Sequence, residues 1–79
     1  MSELTVSFGL LVRKHRKEKN ISQEKLALLC HIDRSYMGRI ERGEVNITLE
    51  KLYGLAHALH IQPEELLPSV EYFSNPKES

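Results

Sequence analysis

Arg34, Ser35, Arg39 and Arg42 carry the chemistry this sequence offers most openly. On an α-helix each residue turns about 100° around the axis. With Arg34 at zero, Gly38, Arg42, Ser35 and Arg39 fall across roughly the next 140°, and Tyr36, Ile40 and Met37 occupy the opposite arc. One face of such a helix can be buried while the other shows three guanidiniums, a hydroxyl and a bare glycine. A helix fits the major groove of DNA, where arginine can hold guanine O6 and N7 in a bidentate pair. Gly38, at the middle of that face, leaves no side chain to hold the helix away from base edges. It lowers helix propensity by ~1 kcal/mol relative to alanine.

Other chemistries find less support. There is no glycine-rich phosphate loop, and a single cysteine, Cys30, excludes a CxxC metal pattern and an internal disulfide. His57 and His60 stand three apart and could share a helix face, but two histidines do not complete a zinc site. No serine or cysteine nucleophile comes with a credible base and orienting acid. The expectation is a binding protein without enzymatic activity, cofactor, metal or small-molecule ligand.

The arginine helix needs a frame, and the flanking residues supply one. Asp33 is a helix N-cap and Gly43 a left-handed terminator. Before them, Ser22 caps a helix carrying Leu26, Leu29 and Cys30 at helical spacing. His31 stands in the turn between the two helices, where it reaches positive φ with some strain or, alternatively, touches DNA. Upstream, Ser7 is read as the cap of a first helix running to about Lys19, with Phe8, Leu11, Val12 and His15 inward. Met1 to Ser7 is expected to fray, with packing of Leu4 and Val6 on the domain the alternative, and Asn20 to take the left-handed C-terminal position. Downstream, Thr48 caps a helix whose apolar stripe is Leu49, Leu52, Tyr53, Leu55, Ala56 and Leu59, with Glu50 and Lys51 outside. Pro63 opens a short fifth helix that carries Leu66 and Leu67 and stops at Pro68. This is an all-α, compact five-helix reading of one domain over residues 1–79, with a core of about 7–68, the central helix pair at 22–43 and a flexible polar tail at about 73–79.

Length and charge set further bounds. A chain of 79 residues holds one domain with a modest core and gains from dimerisation. No apolar run is long enough to span a membrane, and the N-terminus lacks a signal-peptide pattern, so the cytoplasm is the natural compartment. Net charge is zero, yet residues 1–60 carry ten Lys+Arg against seven Asp+Glu (+3), and residues 61–79 one against four (−3). Within residues 13–42 the balance is nine against four, or +5. Such a basic region attracts phosphate locally, or merely solvates helix surfaces.

The stretch from Ser22 to Gly43 resembles the helix-turn-helix of the Xre family, the group of the phage Cro and CI repressors. It has that family's SQxxLA opening (Ser22, Gln23, Leu26, Ala27) and its IERG close (Ile40 to Gly43). NITLEKL (Asn46 to Leu52) and DRSYxG (Asp33 to Gly38) make it most similar to the controller proteins of restriction-modification systems. The resemblance covers roughly residues 8 to 68 and implies a homodimer on an inverted-repeat operator in double-stranded DNA. It also implies an Arg16–Glu41 ion pair bracing the first helix against the third, and a backbone phosphate held by Gln23. Arg34, Ser35 and Arg39 are the candidate base readers; Gln23, Tyr36, Arg42 and Asn46 are the candidates for the DNA backbone. Tyr36 is alternatively core, and Asn46 alternatively a turn residue. Ile61, Leu66, Leu67 and Val70 are either the dimer contact or part of the monomer core. By the same resemblance the protein regulates its own operon, activating at one site and repressing when a second fills, with RNA polymerase a candidate partner. A rival reading is an antitoxin-like or other protein-partner module on the same fold, for which the acidic C-terminal segment speaks.

Overall fold

The computed structural model describes residues 2–73 and places them in four α-helices followed by two 3₁₀ turns. They are α1 (Glu3–Glu18), α2 (Gln23–Leu29), α3 (Arg34–Glu41) and α4 (Leu49–Leu59), then turns at Pro63–Leu66 and Val70–Tyr72. Of the expected polar tail at about 73–79, residues 74–79 lie outside the described residues. Among the described residues no helix is long and apolar enough to cross a membrane.

Helix α1 begins at a cap five residues earlier than Ser7. The Ser2 side chain accepts from the Thr5 amide at 3.2 Å, and Thr5 Oγ1 accepts from the Ser2 amide at 3.0 Å, a reciprocal capping box. Thr5 Oγ1 also stands 2.9 Å from the Gly43 carbonyl oxygen, to which it can donate. The expected fraying of residues 1–7 is therefore corrected for 2–7. The first turn of α1 is anchored to the far end of α3, a contact that no local pattern signals.

Two glycines set how closely α1 meets α3. A Cβ on Gly9 would stand 2.5 Å from the carbonyl oxygens of Ile40 and Glu41, so the two backbones touch there directly. A Cβ on Gly43 would stand 2.5 Å from Val6 Cα, and Gly43 also has φ +75°, where a side chain is strained in any case.

The central pair follows its caps. Ser22 Oγ accepts from the Lys25 amide at 3.0 Å, and the Asp33 carboxylate from the Ser35 amide at 3.1 Å. Leu26 and Ala27 are buried and Cys30 half-buried, but Leu29 is 44% exposed, contrary to expectation. The inward arc runs from Leu26 through Cys30 to Ala27, about 100° wide, and Leu29 falls about 60° outside it. In α4, Leu52, Leu55, Ala56 and Leu59 are buried, whereas Leu49 and Tyr53 are exposed. Tyr53 lies on the flank of that stripe. Leu49 is the first helical residue, and because side chains lean toward the helix N-terminus it projects past the end.

All four helices close with one motif. A residue within two positions of each helix end takes positive φ: Asn20 57°, His31 55°, Gly43 75° and His60 57°. In each case the next amide reaches back five residues, as from Ile21 to the Arg16 carbonyl, Ile32 to Ala27, Glu44 to Arg39 and Ile61 to Ala56. Glycine serves at one of the four, and the left-handed His60 carried no sequence signal.

The core gathers Phe8 and Val12 of α1, Leu26 and Ala27 of α2, Met37 and Ile40 of α3, the α4 stripe and Leu66. Leu66, a candidate for the dimer contact, is 0% exposed within this single chain and is corrected to monomer core. The fifth helical element is a 3₁₀ turn, with the Gln62 amide donating to Glu65 Oε2 at 2.9 Å.

Candidate nucleic-acid interface

Helix α3 presents its polar face as an open surface. Arg34, Ser35, Arg39 and Arg42 are exposed, while Met37 and Ile40 are buried and Tyr36 half-buried. The Ser35 hydroxyl donates to the Asp33 carboxylate, so toward solvent it offers lone pairs rather than its proton. That bond, with the Ser35 amide, holds the Asp33 carboxyl below the usual aspartate range.

Gly38 is not bare, as the helical wheel alone suggested: it is buried. A Cβ there would stand 3.0 Å from Arg42 Nη1 and 3.5 Å from Gln23 Oε1, because the Arg42 guanidinium lies back along the helix over it. Arg42 Nε donates to Glu44 Oε2 at 2.8 Å. This bond pushes the Arg42 guanidinium up and holds the Glu44 carboxyl below its ordinary range. Arg39 Nε stands 3.9 Å from Glu44 Oε1, and Arg34 Nη1 3.9 Å from Glu24 Oε2.

Beneath this face lies a buried polar cluster. Arg16 Nε donates to Glu41 Oε2 at 2.6 Å and Arg16 Nη2 to Glu41 Oε1 at 3.0 Å, a bidentate pair with side chains 12% and 4% exposed. Arg16 Nη1 donates to the Ile21 carbonyl at 2.9 Å, and Gln23 Nε2 to Glu41 Oε1 at 3.1 Å. Three helices thus meet on one carboxylate, and Arg16 ties the α1–α2 turn to the same cluster. The Gln23 amide keeps one N–H beyond its bond to Glu41.

The other candidates flank the face. The Tyr36 ring has Lys51 Nζ 5.6 Å from its centroid and lines a shallow depression of about 490 Å³ with His31, Asp33 and Lys51. Asn46 is exposed in the loop after α3, beside Gly43 and Glu44.

Residues 12–66 match the family model described as helix-turn-helix. The chain is 42% identical over 67 residues to control protein C.BamHI of Bacillus amyloliquefaciens, covering 84% of this chain and 83% of that one. It is 36% identical over 72 residues to control protein C.MunI of a Mycoplasma species, covering 90% and 97%. The crystal structure of the restriction-modification controller protein C.AhdI from Aeromonas hydrophila superposes with a TM-score of 0.78 at 48% identity, covering 80% of this chain and 96% of that one. The chain belongs to the helix-turn-helix family of control proteins.

For a helix-turn-helix protein, α2 and α3 are the defining pair, and α3 occupies the position of the recognition helix. The remaining candidates lie elsewhere on the surface. Leu67 is 54% and Val70 86% exposed, whereas Ile61 is half-buried against the core. Beside Leu67 runs a groove of about 530 Å³ lined by Leu10, Leu11 and Lys14 of α1 with Pro68, Ser69 and Tyr72. The sequence reading missed Leu10 and Tyr72 here. Leu10 stands next to the inward residue Leu11, and its exposure could have been read from the same wheel.

Proposed function

We propose that this chain is a sequence-specific transcriptional regulator of double-stranded DNA that acts as a homodimer on an inverted-repeat operator and controls a restriction-modification operon, its own. One observation carries the reading: a short recognition helix, braced from behind by a buried bidentate ion pair, holds Arg34, Ser35, Arg39 and Arg42 exposed. Arg34, Ser35 and Arg39 read base edges; Gln23, Tyr36, Arg42 and Asn46 position the phosphate backbone. In this reading Arg42 must swing off Gly38 and Glu44 to reach DNA. The protein is a binding module of the cytoplasm without catalysis, and RNA polymerase is its partner in activation.

Leu67 and Val70, with Leu10 and Tyr72 beside them, supply the exposed part of the dimer contact, a second copy of the chain being the occupant. A two-fold axis then places two α3 helices in successive major grooves about 34 Å apart. Selection of bound sequences from a random DNA pool tests this reading. An enriched inverted repeat with half-sites about one helical turn apart supports it; salt-sensitive binding without sequence preference overturns it. On the selected site, Arg34→Ala is expected to cost roughly 1–3 kcal/mol and to relax preference at one base position. Unchanged binding would remove Arg34 from the readers.

A further inference from the structure

Among the described residues, the exposed arginine–carboxylate pairs within 4.0 Å number three, and all involve the polar face of α3: Arg34 with Glu24, and Arg39 and Arg42 with Glu44. Glu44 serves two of the three. We propose that Glu44 determines specificity at this face: its carboxylate, held between Arg39 and Arg42, opposes contacts to phosphate more strongly than contacts to base edges. The inference rests on the DNA-binding reading above.

The position of Glu44 is fixed by backbone before its side chain is considered. Its amide donates to the Arg39 carbonyl at 2.9 Å as the closing bond of the α3 terminus, and left-handed Gly43 turns the chain back along the helix. The side chain then returns to α3, with Oε2 2.8 Å from Arg42 Nε, and Oε1 3.5 Å from Arg42 Nη2 and 3.9 Å from Arg39 Nε. The hydrogen bond from Arg42 holds the carboxyl below its ordinary range, so it is charged at neutral pH.

A fixed anion in that place acts unequally on the two kinds of contact. A phosphate oxygen that approaches Arg42 or Arg39 brings a full negative charge close to the Glu44 carboxylate. A guanine edge brings acceptors but no net charge, and offers Arg39 two hydrogen bonds in exchange for a loose ion pair. Binding to arbitrary DNA consists almost wholly of phosphate contacts, whereas an operator complex adds base edges. The carboxylate therefore takes more from the first than from the second, and the ratio between them rises. Glu44 also holds Arg42 down over Gly38, which keeps that cation from gripping phosphate on a casual encounter.

The test uses Glu44→Gln, which keeps the shape and a carbonyl acceptor for Arg42 while removing the charge. Glu18→Gln is the control for net charge, since Glu18 is exposed on α1, with Oε1 3.6 Å from His15 Nδ1. Both variants and the parent protein are titrated against the selected operator duplex and a random-sequence duplex across a salt series, with thermal melts to verify folding. Glu44→Gln is expected to tighten binding to the random duplex about threefold or more, to steepen its salt slope by about one, and to change operator affinity less. Glu18→Gln is expected to leave the ratio unchanged. An equal gain on both duplexes, or the same effect from Glu18→Gln, would overturn the inference. So would loss of operator affinity with random binding unchanged, which would make Glu44 a base reader. If the parent protein itself shows no preference between the duplexes, the DNA-binding reading falls and the inference falls with it.

Discussion

At the residue scale, Glu41 decides more than the arginines it lies beneath. It receives Arg16 through two hydrogen bonds and Gln23 through a third, so its burial is compensated on every side. A buried pair of this kind adds little net stability over an apolar replacement, but removal of one partner strands the other charge at a cost of about 3–5 kcal/mol. Arg16→Met is therefore expected to destabilise the protein by that order in urea denaturation, and the double variant Arg16→Met, Glu41→Leu to recover much of the loss. Equal instability of the single and double variants would mean that the pair does more than cancel its own burial. Asp33 gives a pH-dependent counterpart. Its folded-state carboxyl lies below the ordinary aspartate range because Ser35 donates to it through hydroxyl and amide. A lowered carboxyl stabilises the fold above its unfolded-state value, near pH 3.9, and loses that contribution as pH falls through the folded value. Asp33→Ala is thus expected to lower the thermal midpoint at pH 7, with the gap to the parent protein closing below about pH 4. Calorimetry across pH 2 to 7 measures it. The Arg16–Glu41 pair was legible only through family resemblance, since nothing in the spacing of residues 16 and 41 brings them together. The covering of Gly38 was not legible at all, because it depends on which way one flexible arginine folds.

At the element scale, the sequence marks a helix well where its signals are local. Ser22, Asp33 and Thr48 cap α2, α3 and α4 from their own first turns, and Gly43, Asn20 and His31 mark three of the four terminators. It marks a helix poorly where the decisive contact comes from elsewhere. The first turn of helix α1, capped by Ser2, is tied down where Thr5 reaches Gly43, and the helix crosses α3 at Gly9, a residue the apolar stripe passes over in silence. Gly9→Ala tests the crossing. On propensity alone the change would favour the helix by ~1 kcal/mol. With two carbonyl oxygens 2.5 Å from the new methyl, it is instead expected to destabilise by about 1–3 kcal/mol or more. The left-handed histidines give the opposite sign. A side chain in that conformation costs roughly 1–2 kcal/mol, more than the ~0.5–1 kcal/mol of backbone entropy that glycine brings. His60→Gly is expected to raise the melting temperature, and an unchanged or lower one would show that His60 makes up its strain by contacts.

At the scale of the whole molecule, the apolar residues near the C-terminus divide into two jobs. Leu66 closes the monomer core, whereas Leu67 and Val70 stand in solvent next to it in sequence. Alternation of this kind is invisible to a pattern of four apolar residues, since the 3₁₀ turn that separates inside from outside is only four residues long. Leu66→Ala is expected to cost about 2–5 kcal/mol of folding stability. Val70→Glu, at 86% exposure, is expected to leave the monomer folded and to dissociate the proposed dimer, which sedimentation equilibrium distinguishes. A dimer indifferent to Val70→Glu and Leu67→Glu would place the two-fold contact on another surface. Helix α1 packs against both 3₁₀ turns on one side and meets α3 backbone to backbone on the other. In the proposed dimer that makes α1 a stiff spacer between the two-fold contact and each reading helix, with no yielding side chains at the Gly9 crossing to take up error. A single base pair inserted between half-sites rotates one of them by about 34° relative to its partner. A hinged reader could follow that rotation, whereas this one would lose its grip on half of the operator.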